Sequence, residues 1–210
     1  MTAVQRRDWV EVGATVLLAF AAVATAWSSY QATRWNGEQA KTSGSVNKTR
    51  ILAARAAGLA NAQQQVDVAT FMQWVDSYAR GEDKLVSFYR KRFRPEFTPA
   101  FNAWIATKPL KTKGAPRTPF AMPQYRLAAR DEANTLDATA EKLSAEVRRN
   151  IQRSSNYVLA VVLFSVSLFF AGIGTKINSA RLGTITLAIG SAVFLATLIW
   201  IATSPVSLSV

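Results

Sequence analysis

The sequence predicts an all-α membrane protein with three transmembrane helices, a long extramembrane helical hairpin and a small distal helical cap. The first observation is three apolar stretches, at residues 9–27, 157–175 and 182–202. About 19 residues at a helical rise of ~1.5 Å extend roughly 28 Å, which matches the hydrocarbon thickness of a bilayer. The second observation is that polar, Ala-rich segments follow the first stretch and precede the second without a proline. Each of these two spans is therefore expected to belong to a longer helix.

The composition argues against an enzyme. The 210 residues include no cysteine and no histidine, which excludes a disulfide, a thiolate nucleophile and the commonest general base and metal ligand. The net charge of +12 would suggest a nucleic-acid partner in a soluble protein, but in this chain the charge must first be placed relative to the membrane. We expect no catalytic residue, no cofactor and no metal site.

The chain is expected to contain five consecutive segments. They are an N-terminus with the first transmembrane helix (1–30), a first stalk helix (31–80), a distal cap (81–122), a second stalk helix (123–156), and the second and third transmembrane helices with a short turn and tail (157–210). Trp9 at one end of the first span, with Trp27 and Tyr30 at the other, is typical of the two membrane interfaces. Arg6-Arg7 before an apolar run is also typical of a secretory signal, but an uncleaved span is expected.

The two stalk helices are predicted to pack as an antiparallel hairpin through matching seams. Residues spaced by three and four lie on one helical face, and small residues there let two helices approach closely. The predicted seams are Leu52, Leu59, Ala62, Val66 and Ala69 in the first stalk, and Ala133, Leu136, Ala140, Leu143 and Val147 in the second. Asn36-Gly37 and residues 43–45 are weak points at which the first stalk is open to a kink or a break.

The segment between the stalks changes character, since it holds five of the seven prolines and many aromatic residues. We predict a short helix from Glu82 to about Phe93, a second helix with Thr98 as N-cap and Pro99 at its first position, and an extended loop over 108–122. The aromatic residues predict a small hydrophobic core, with a ligand cage as the alternative. They are Phe71, Trp74, Tyr78, Phe88, Phe93, Phe97, Phe101 and Trp104.

The distribution of positive charge predicts the orientation in the membrane. The positive-inside rule counts Lys and Arg in short segments near span ends. Arg6 and Arg7 precede the first span, Lys176 and Arg181 lie between the second and third, and the tail has neither residue type. We therefore expect the N-terminus inside and both residues 31–156 and the C-terminus outside. The segment 31–156 carries 21 Lys and Arg against 11 Asp and Glu, a net charge of +10. An outward-facing basic domain would meet lipid phosphates or an envelope polyanion rather than nucleic acid.

The spans contain two kinds of candidate functional residue. Glu11 is the one acidic residue placed within a span, where carboxylates serve as ion ligands or proton relays. The alternative is an interfacial position, paired with Arg7, Lys176 or Arg181. Small and hydroxylated residues form stripes that would pack subunits together or line a pore. They are Thr15, Ala19, Ala22, Ser165, Gly172, Gly183, Thr186, Gly190 and Thr197.

The cap contains the densest basic run of the chain. Its members, Arg90, Lys91, Arg92 and Arg94, are interleaved with aromatic residues. Guanidinium groups suit phosphate geometry, so this run is a candidate anion or lipid-phosphate patch. The alternative is a solvated basic face.

Several short patterns in the spans and the cap are distinctive as a set. They are Trp27-Ser28-Ser29-Tyr30-Gln31-Ala32-Thr33-Arg34-Trp35, Phe93-Arg94-Pro95-Glu96-Phe97, Thr118-Pro119-Phe120-Ala121-Met122-Pro123, and Tyr157-Val158-Leu159 with Phe169-Phe170-Ala171-Gly172. Together they resemble a widespread family of uncharacterised bacterial three-span membrane proteins, over most of the chain. The resemblance implies the membrane architecture and a bacterial source, and it transfers no functional residue.

These observations favour a non-enzymatic integral membrane protein of the bacterial cell envelope, located in the cytoplasmic (inner) membrane. Two spans with long polar stalks have long seams to bury, and a single hairpin offers few partners for them. A homo-oligomer with an assembly or scaffolding role is therefore expected. The alternative is an oligomeric ion channel. An enzyme ranks third, because no nucleophile and base pair is visible. The expected partners are membrane lipid, further copies of the chain and an envelope polyanion.

Overall fold

The computed structural model describes residues 3–109, 111–177 and 179–207. Its helices are α1 (Ala3–Ala79), α2 (Asp83–Arg90), α3 (Thr98–Ala106), α4 (Ala128–Gly174) and α5 (Ala180–Ala202), with a short 3₁₀ turn at Pro119–Ala121. Parts of α1, α4 and α5 are long and apolar enough to cross a membrane. The predicted fold class is confirmed, including the contact between the long helices α1 and α4.

The chain divides into two compact units, and α1 and α4 each contribute to both. Residues 1–44 and 143–210 form one unit, which we call the membrane unit, and residues 45–142 form the other, which we call the distal unit. The predicted weak point of the first stalk is not a break, because α1 is helical through Gly37 and Gly44. No atom lies within 4 Å of a Cβ built on either glycine.

Within the membrane unit, α1, α4 and α5 pack through small residues. Ala14, Leu17 and Ala21 of α1 are buried, as are Ala160 and Ala171 of α4. Trp35, Tyr157, Phe164 and Ile201 are also buried, but many large apolar side chains face outward where lipid would contact them. These are Val12, Val16, Phe20, Val23, Val158, Leu159, Val162, Phe169, Leu182, Ile185, Leu195 and Ile199. This inside-out arrangement is that of a bundle in lipid, where close packing rather than apolar burial holds helices together.

Two glycines of α5 mark its closest approach to α4. A Cβ added at Gly190 would lie 3.1 Å from Phe170 Cβ and 3.2 Å from Ser167 O, and one at Gly183 would lie 3.1 Å from Gly174 O. All three distances are shorter than ordinary van der Waals contact, so a larger residue at either position would push its neighbour on α4 aside. Because both glycines are buried against their own chain, they are not free to contact a second subunit.

The segment after α5 folds back onto the bundle through backbone hydrogen bonds. Gln31 Oε1 accepts from the Ser207 N–H at 3.0 Å, and its Nε2 donates to Ser207 O at 3.5 Å. The indole of Trp35 and the hydroxyl of Tyr157 both donate to Pro205 O at 3.2 Å. Buried backbone groups need such partners, and these four bonds hold the tail beside the turns of α1 that follow its predicted span and beside the first turns of the α4 span.

In the distal unit, α1 and α4 pack through alanine. The predicted α4 seam is confirmed, since Ala133 and Ala140 are buried and Leu136, Leu143 and Val147 are half-buried. The predicted α1 seam is wrong by one residue: Ala53, Ala56 and Ala60 are buried, whereas all five predicted positions, Leu52, Leu59, Ala62, Val66 and Ala69, are exposed. Alanine allows a closer helix approach than leucine, so the larger side chains are turned outward.

The distal end of this unit contains an aromatic core, which confirms the predicted small hydrophobic core except for Tyr78 and Phe88, which are exposed. Its buried rings come from α1, from α3 and from the segment between α2 and α3, and most pairs meet edge to face at 4.8–6.4 Å between centroids. They are Phe71, Trp74, Phe93, Phe97, Phe101 and Trp104. Edge-to-face contacts add to the burial free energy of the rings.

The boundaries of the cap helices differ slightly from the prediction. α2 is shorter, since it ends at Arg90 and turns follow it. Thr98 is the first residue of α3 rather than its N-cap. Its hydroxyl donates to Arg94 O at 3.1 Å instead of capping the helix, while Pro99 lies in the first turn as predicted. The indole of Trp104 donates to Pro116 O at 2.8 Å and ties the following loop to α3.

Candidate functional site

The predicted basic run of the cap does not form one patch. Arg90 lies beside Asn102, to which it donates at 3.3 Å, and its guanidinium is 5.9 Å from the Phe101 ring. Arg92 points elsewhere and stacks 3.5 Å above the Phe88 ring. The neighbouring Lys91 is exposed.

Arg94, the fourth member of the run, turns inward to a buried carboxylate. Its Nη1 lies 3.0 Å from Asp67 Oδ2 and its Nη2 lies 3.0 Å from Glu96 Oε2. Only 19% of its side chain is exposed. Arg94 therefore already has two carboxylate partners, and the role of the four basic residues as an anion or lipid-phosphate patch stays a prediction.

Asp67 is the centre of a buried polar cluster that joins α1 to the two connecting segments of the cap. Its side chain is fully buried, and the hydroxyl of Tyr125 donates to Oδ2 at 3.0 Å beside the bond from Arg94. Its other oxygen, Oδ1, is buried and has no hydrogen-bond partner among the described residues. A buried carboxylate with one unsatisfied oxygen is costly, so the arrangement depends on its two donors.

Burial dominates the ionisation of this cluster. Burial raises the pKa of Asp67 above its ordinary value of 3.8, and the hydrogen bonds and charge from Tyr125 and Arg94 offset only part of that rise. The pKa of Tyr125 is also raised, first by burial and then by its hydrogen bond to Asp67 and the carboxylate charge. The hydroxyl of Tyr125 is therefore a stable donor to the carboxylate through the neutral range.

A cleft lies beside the aromatic core and is contained within the distal unit. Its volume is about 560 Å³, and α1, α2, α3 and the loop after α3 line it. Arg90 is the only member of the predicted basic run among its lining residues. Two further cations, Lys108 and Lys111, line its mouth.

The predicted stripes of small residues separate into two sets. Thr15, Ala19, Ala22 and Ser165 are exposed on the outside of the bundle, where they remain candidates for contact with another subunit. Gly183, Gly190 and Thr197 are buried, and Gly172 and Thr186 are half-buried. The hydroxyls of Thr15, Ser165, Thr186 and Thr197 each donate to the carbonyl one turn back in their own helix.

Glu11 lies on the exposed side of α1. Among the described side chains no ion pair joins it to Lys176 or Arg181, and the side chain of Arg7 lies outside the described set. Its predicted role as an intramembrane carboxylate stays a prediction. In the described residues no group of three or more carboxylates lies close enough together to hold a metal ion.

Sequence reasoning missed Asp67 and Gln31. Asp67 follows Ala60 by seven residues and precedes Phe71 by four, a spacing that places it on the buried face of α1. This spacing can be read from the sequence, but the buried face was predicted to be the neighbouring row of larger apolar residues. The role of Gln31 depends on tertiary contacts with residues after α5 that no local pattern indicated.

No protein-family model, curated protein or solved structure matches this chain. The resemblance to a family of bacterial three-span membrane proteins therefore stays a prediction.

Proposed function

We propose that the chain is a non-enzymatic, homo-oligomeric scaffold of the bacterial cell envelope, inserted in the inner membrane. In this arrangement the N-terminus lies inside, and residues 31–156 and the C-terminus lie outside. The chain's own helices supply the membrane anchor, and the distal unit supplies a surface for assembly.

The observation that carries the proposal is an exposed apolar face on α1 in the distal unit. Leu52, Leu59 and Val66 recur every seven residues, with Ala62 and Ala69 between and beyond them. Leu59 is 55% exposed and Val66 is 51% exposed. Their own chain packs against a different row of α1, about 100° away around the helix axis. We call Leu52, Leu59, Ala62, Val66 and Ala69 the heptad face.

A second copy of the chain is the partner that this face suits. A seven-residue repeat of apolar residues is the pattern by which helices pair in coiled coils, and an identical helix presents the same repeat in the same register. Symmetric pairing of identical surfaces is also the commonest form of oligomer. The exposed small residues of the α1 span, Thr15, Ala19 and Ala22, allow close helix approach within lipid.

Cysteine cross-linking in native membranes tests the proposal, because the chain has no cysteine of its own. A Leu59→Cys variant should form a disulfide-linked dimer under mild oxidation. A Thr139→Cys variant is the matched control, since Thr139 is exposed on α4 and lies outside the heptad face. Efficient cross-linking of Leu59→Cys alone supports the scaffold. Equal cross-linking of both variants, or none of either, contradicts assembly through this face.

An ion channel is the alternative, and Glu11 gives its sharpest test. A channel would conduct in reconstituted bilayers, with currents that change in a Glu11→Gln variant. Thr15 and Ser165 are exposed on the outside of the bundle, whereas Gly183 and Gly190 are packed against α4, so the stripes do not line one common path within the chain. We therefore favour the scaffold.

A further inference from the structure

The cleft of the distal unit has an aromatic floor. Trp74 and Tyr78 of α1 and Phe101 and Trp104 of α3 line it, and the Trp74 and Tyr78 rings stack at 5.3 Å. A volume of about 560 Å³ falls within the range of small-molecule sites, which are commonly apolar with a few placed polar groups. An apolar chain or ring would be buried here against flat aromatic surfaces.

The charge of the cleft has one sign. Arg90, Lys108 and Lys111 line it, and no carboxylate is among its described lining residues. Arg90 is held in place by its hydrogen bond to Asn102 and by its position over the Phe101 ring. A pocket with three cations and no compensating carboxylate favours an anionic group at its mouth.

The backbone of Lys108 adds a further observation. Its φ of +52° is the one positive φ found at a described residue other than glycine. A single residue in this left-handed region directly after the C-cap is a common way for a helix to end. The conformation ends α3 and starts the turn in which Lys108 O accepts from the N–H groups of Lys111 and Thr112. Lys108 and Lys111 are thereby held on one turn beside the cleft.

We infer that this cleft binds an amphipathic anion, with an apolar chain or ring on the aromatic floor and one phosphate or carboxylate group between Arg90, Lys108 and Lys111. Neither half of the ligand suffices alone. A free phosphate would leave the aromatic floor empty, and an uncharged hydrocarbon would leave three cations without a partner. Such a ligand is either a single-chain amphiphile dissolved in water or the anionic lipid of a membrane. This binding does not depend on the oligomeric scaffold.

Calorimetric titration of the full chain in phosphatidylcholine nanodiscs tests the inference, with empty nanodiscs as the blank. The probes are octyl phosphate, octyltrimethylammonium and inorganic phosphate. We expect saturable binding of octyl phosphate, and at least roughly tenfold weaker binding of the two others, because each lacks one half of the recognised chemistry. Equal binding of octyltrimethylammonium, or of inorganic phosphate, would overturn the inference. Vesicles of phosphatidylglycerol, added to the chain in phosphatidylcholine nanodiscs, identify the source: competition with octyl phosphate identifies bilayer lipid as the ligand, and no competition identifies a dissolved amphiphile.

A matched pair of variants places the binding in the cleft. The variant Arg90→Gln/Lys111→Gln removes two lining cations, whereas Lys91→Gln/Lys113→Gln removes two exposed neighbours that do not line the cleft. Both lower the net charge by the same amount. We expect roughly tenfold weaker binding in the first variant and no change in the second. An equal loss in both would show a general charge effect and would overturn the site.

A third variant tests the aromatic floor without altering the core. Ile105 lines the cleft and is exposed, while the adjacent Ala106 is exposed and does not line it. Ile105→Glu should abolish octyl phosphate binding, because it places a carboxylate in the wall of the cleft. Ala106→Glu adds the same charge to the same helix and should bind as the wild type does. Retention of binding by Ile105→Glu would contradict the inference.

Discussion

Replacement of Asp67 by alanine should loosen the cap of the distal unit. Asp67 is fully buried and accepts hydrogen bonds from Arg94 and Tyr125, each at 3.0 Å. These bonds join α1 to the segment between α2 and α3 and to the segment before α4. Without the carboxylate, the hydroxyl of Tyr125 loses its acceptor, and the guanidinium of Arg94 keeps only Glu96, which is 46% exposed.

The size of the effect follows from these contacts. The loss of one partner from a buried ion pair costs about 3–5 kcal/mol. The lower end of this range applies because Arg94 still pairs with Glu96 and its side chain stays partly exposed to water. We therefore expect a loss of about 3 kcal/mol, which corresponds to roughly 100-fold faster opening of the cap. A Tyr125→Phe variant removes a single hydrogen bond and should cost about 1 kcal/mol.

Hydrogen exchange of the detergent-solubilised full chain measures this opening directly. Peptides from α3 should exchange roughly 100-fold faster in Asp67→Ala, while peptides from α5 should be unchanged. Asp67→Asn is the matched control, since its amide oxygen still accepts from Arg94 and Tyr125, and its loss should be about 1 kcal/mol. Equal losses in the alanine and asparagine variants, or a loss below about 1 kcal/mol in the alanine variant, would refute the proposed role of the buried carboxylate.

The same cluster predicts a pH dependence of the cap. Burial raises the pKa of Asp67 in the folded state above its ordinary 3.8, so the folded state holds the proton more tightly than the unfolded state does. The resulting stabilisation is complete below the unfolded pKa and is lost as the pH rises through the folded pKa. After correction for intrinsic exchange, protection of α3 should fall with rising pH through this window in the wild type. Asp67→Asn should lack that component, and an identical profile in both proteins would contradict the assignment.

Three further predictions concern topology and packing. A cysteine at Lys113 should react with an impermeant thiol reagent in intact cells, and a cysteine at Ser179 should not. The reverse pattern would invert the proposed orientation. Asn178, in the same turn as Ser179, lies outside the described residues. Gly190→Leu should lower thermal stability in detergent by about 1–3 kcal/mol, because α4 leaves no room there, whereas Gly172→Leu should not, since nothing lies within 4 Å of its added Cβ. Trp35→Phe removes the hydrogen bond from the indole to Pro205 O and should destabilise the packing of the tail by about 1 kcal/mol. The measurement is hydrogen exchange of the residues after α5, which should become faster; unchanged exchange would refute the role of this contact.

The long helices were predictable because strong signals agree along them. Apolar stretches of membrane length predict the spans, and the spacing of Ala133, Leu136 and Ala140 predicts the buried face of α4. The buried face of α1 was not predictable in the same way. Its sequence contains two apolar rows one residue apart, and hydrophobicity favours the row with Leu52 and Leu59. The row with Ala53, Ala56 and Ala60 is buried instead, because small side chains let the two helices approach closely.

The candidate site was less predictable for a related reason. The basic run from Arg90 to Arg94 is continuous in sequence, but the turns after α2 direct its members to different neighbours. Whether a cation lines a cleft, stacks on a ring or pairs with a buried carboxylate depends on residues far away in the chain, such as Asp67. Local charge patterns therefore identify a basic segment but do not indicate which partner each of its residues has.

Native mass spectrometry of the wild-type chain released from nanodiscs tests the central proposal most directly. The exposed heptad face of α1 predicts one dominant oligomer, and a Leu59→Glu variant should shift it towards monomer because the charge would be buried at the contact. Asn61→Glu adds the same charge on the same helix, outside the heptad face, and should leave the subunit number unchanged. A strictly monomeric wild type, or an oligomer that persists unchanged in Leu59→Glu, would contradict assembly through this face.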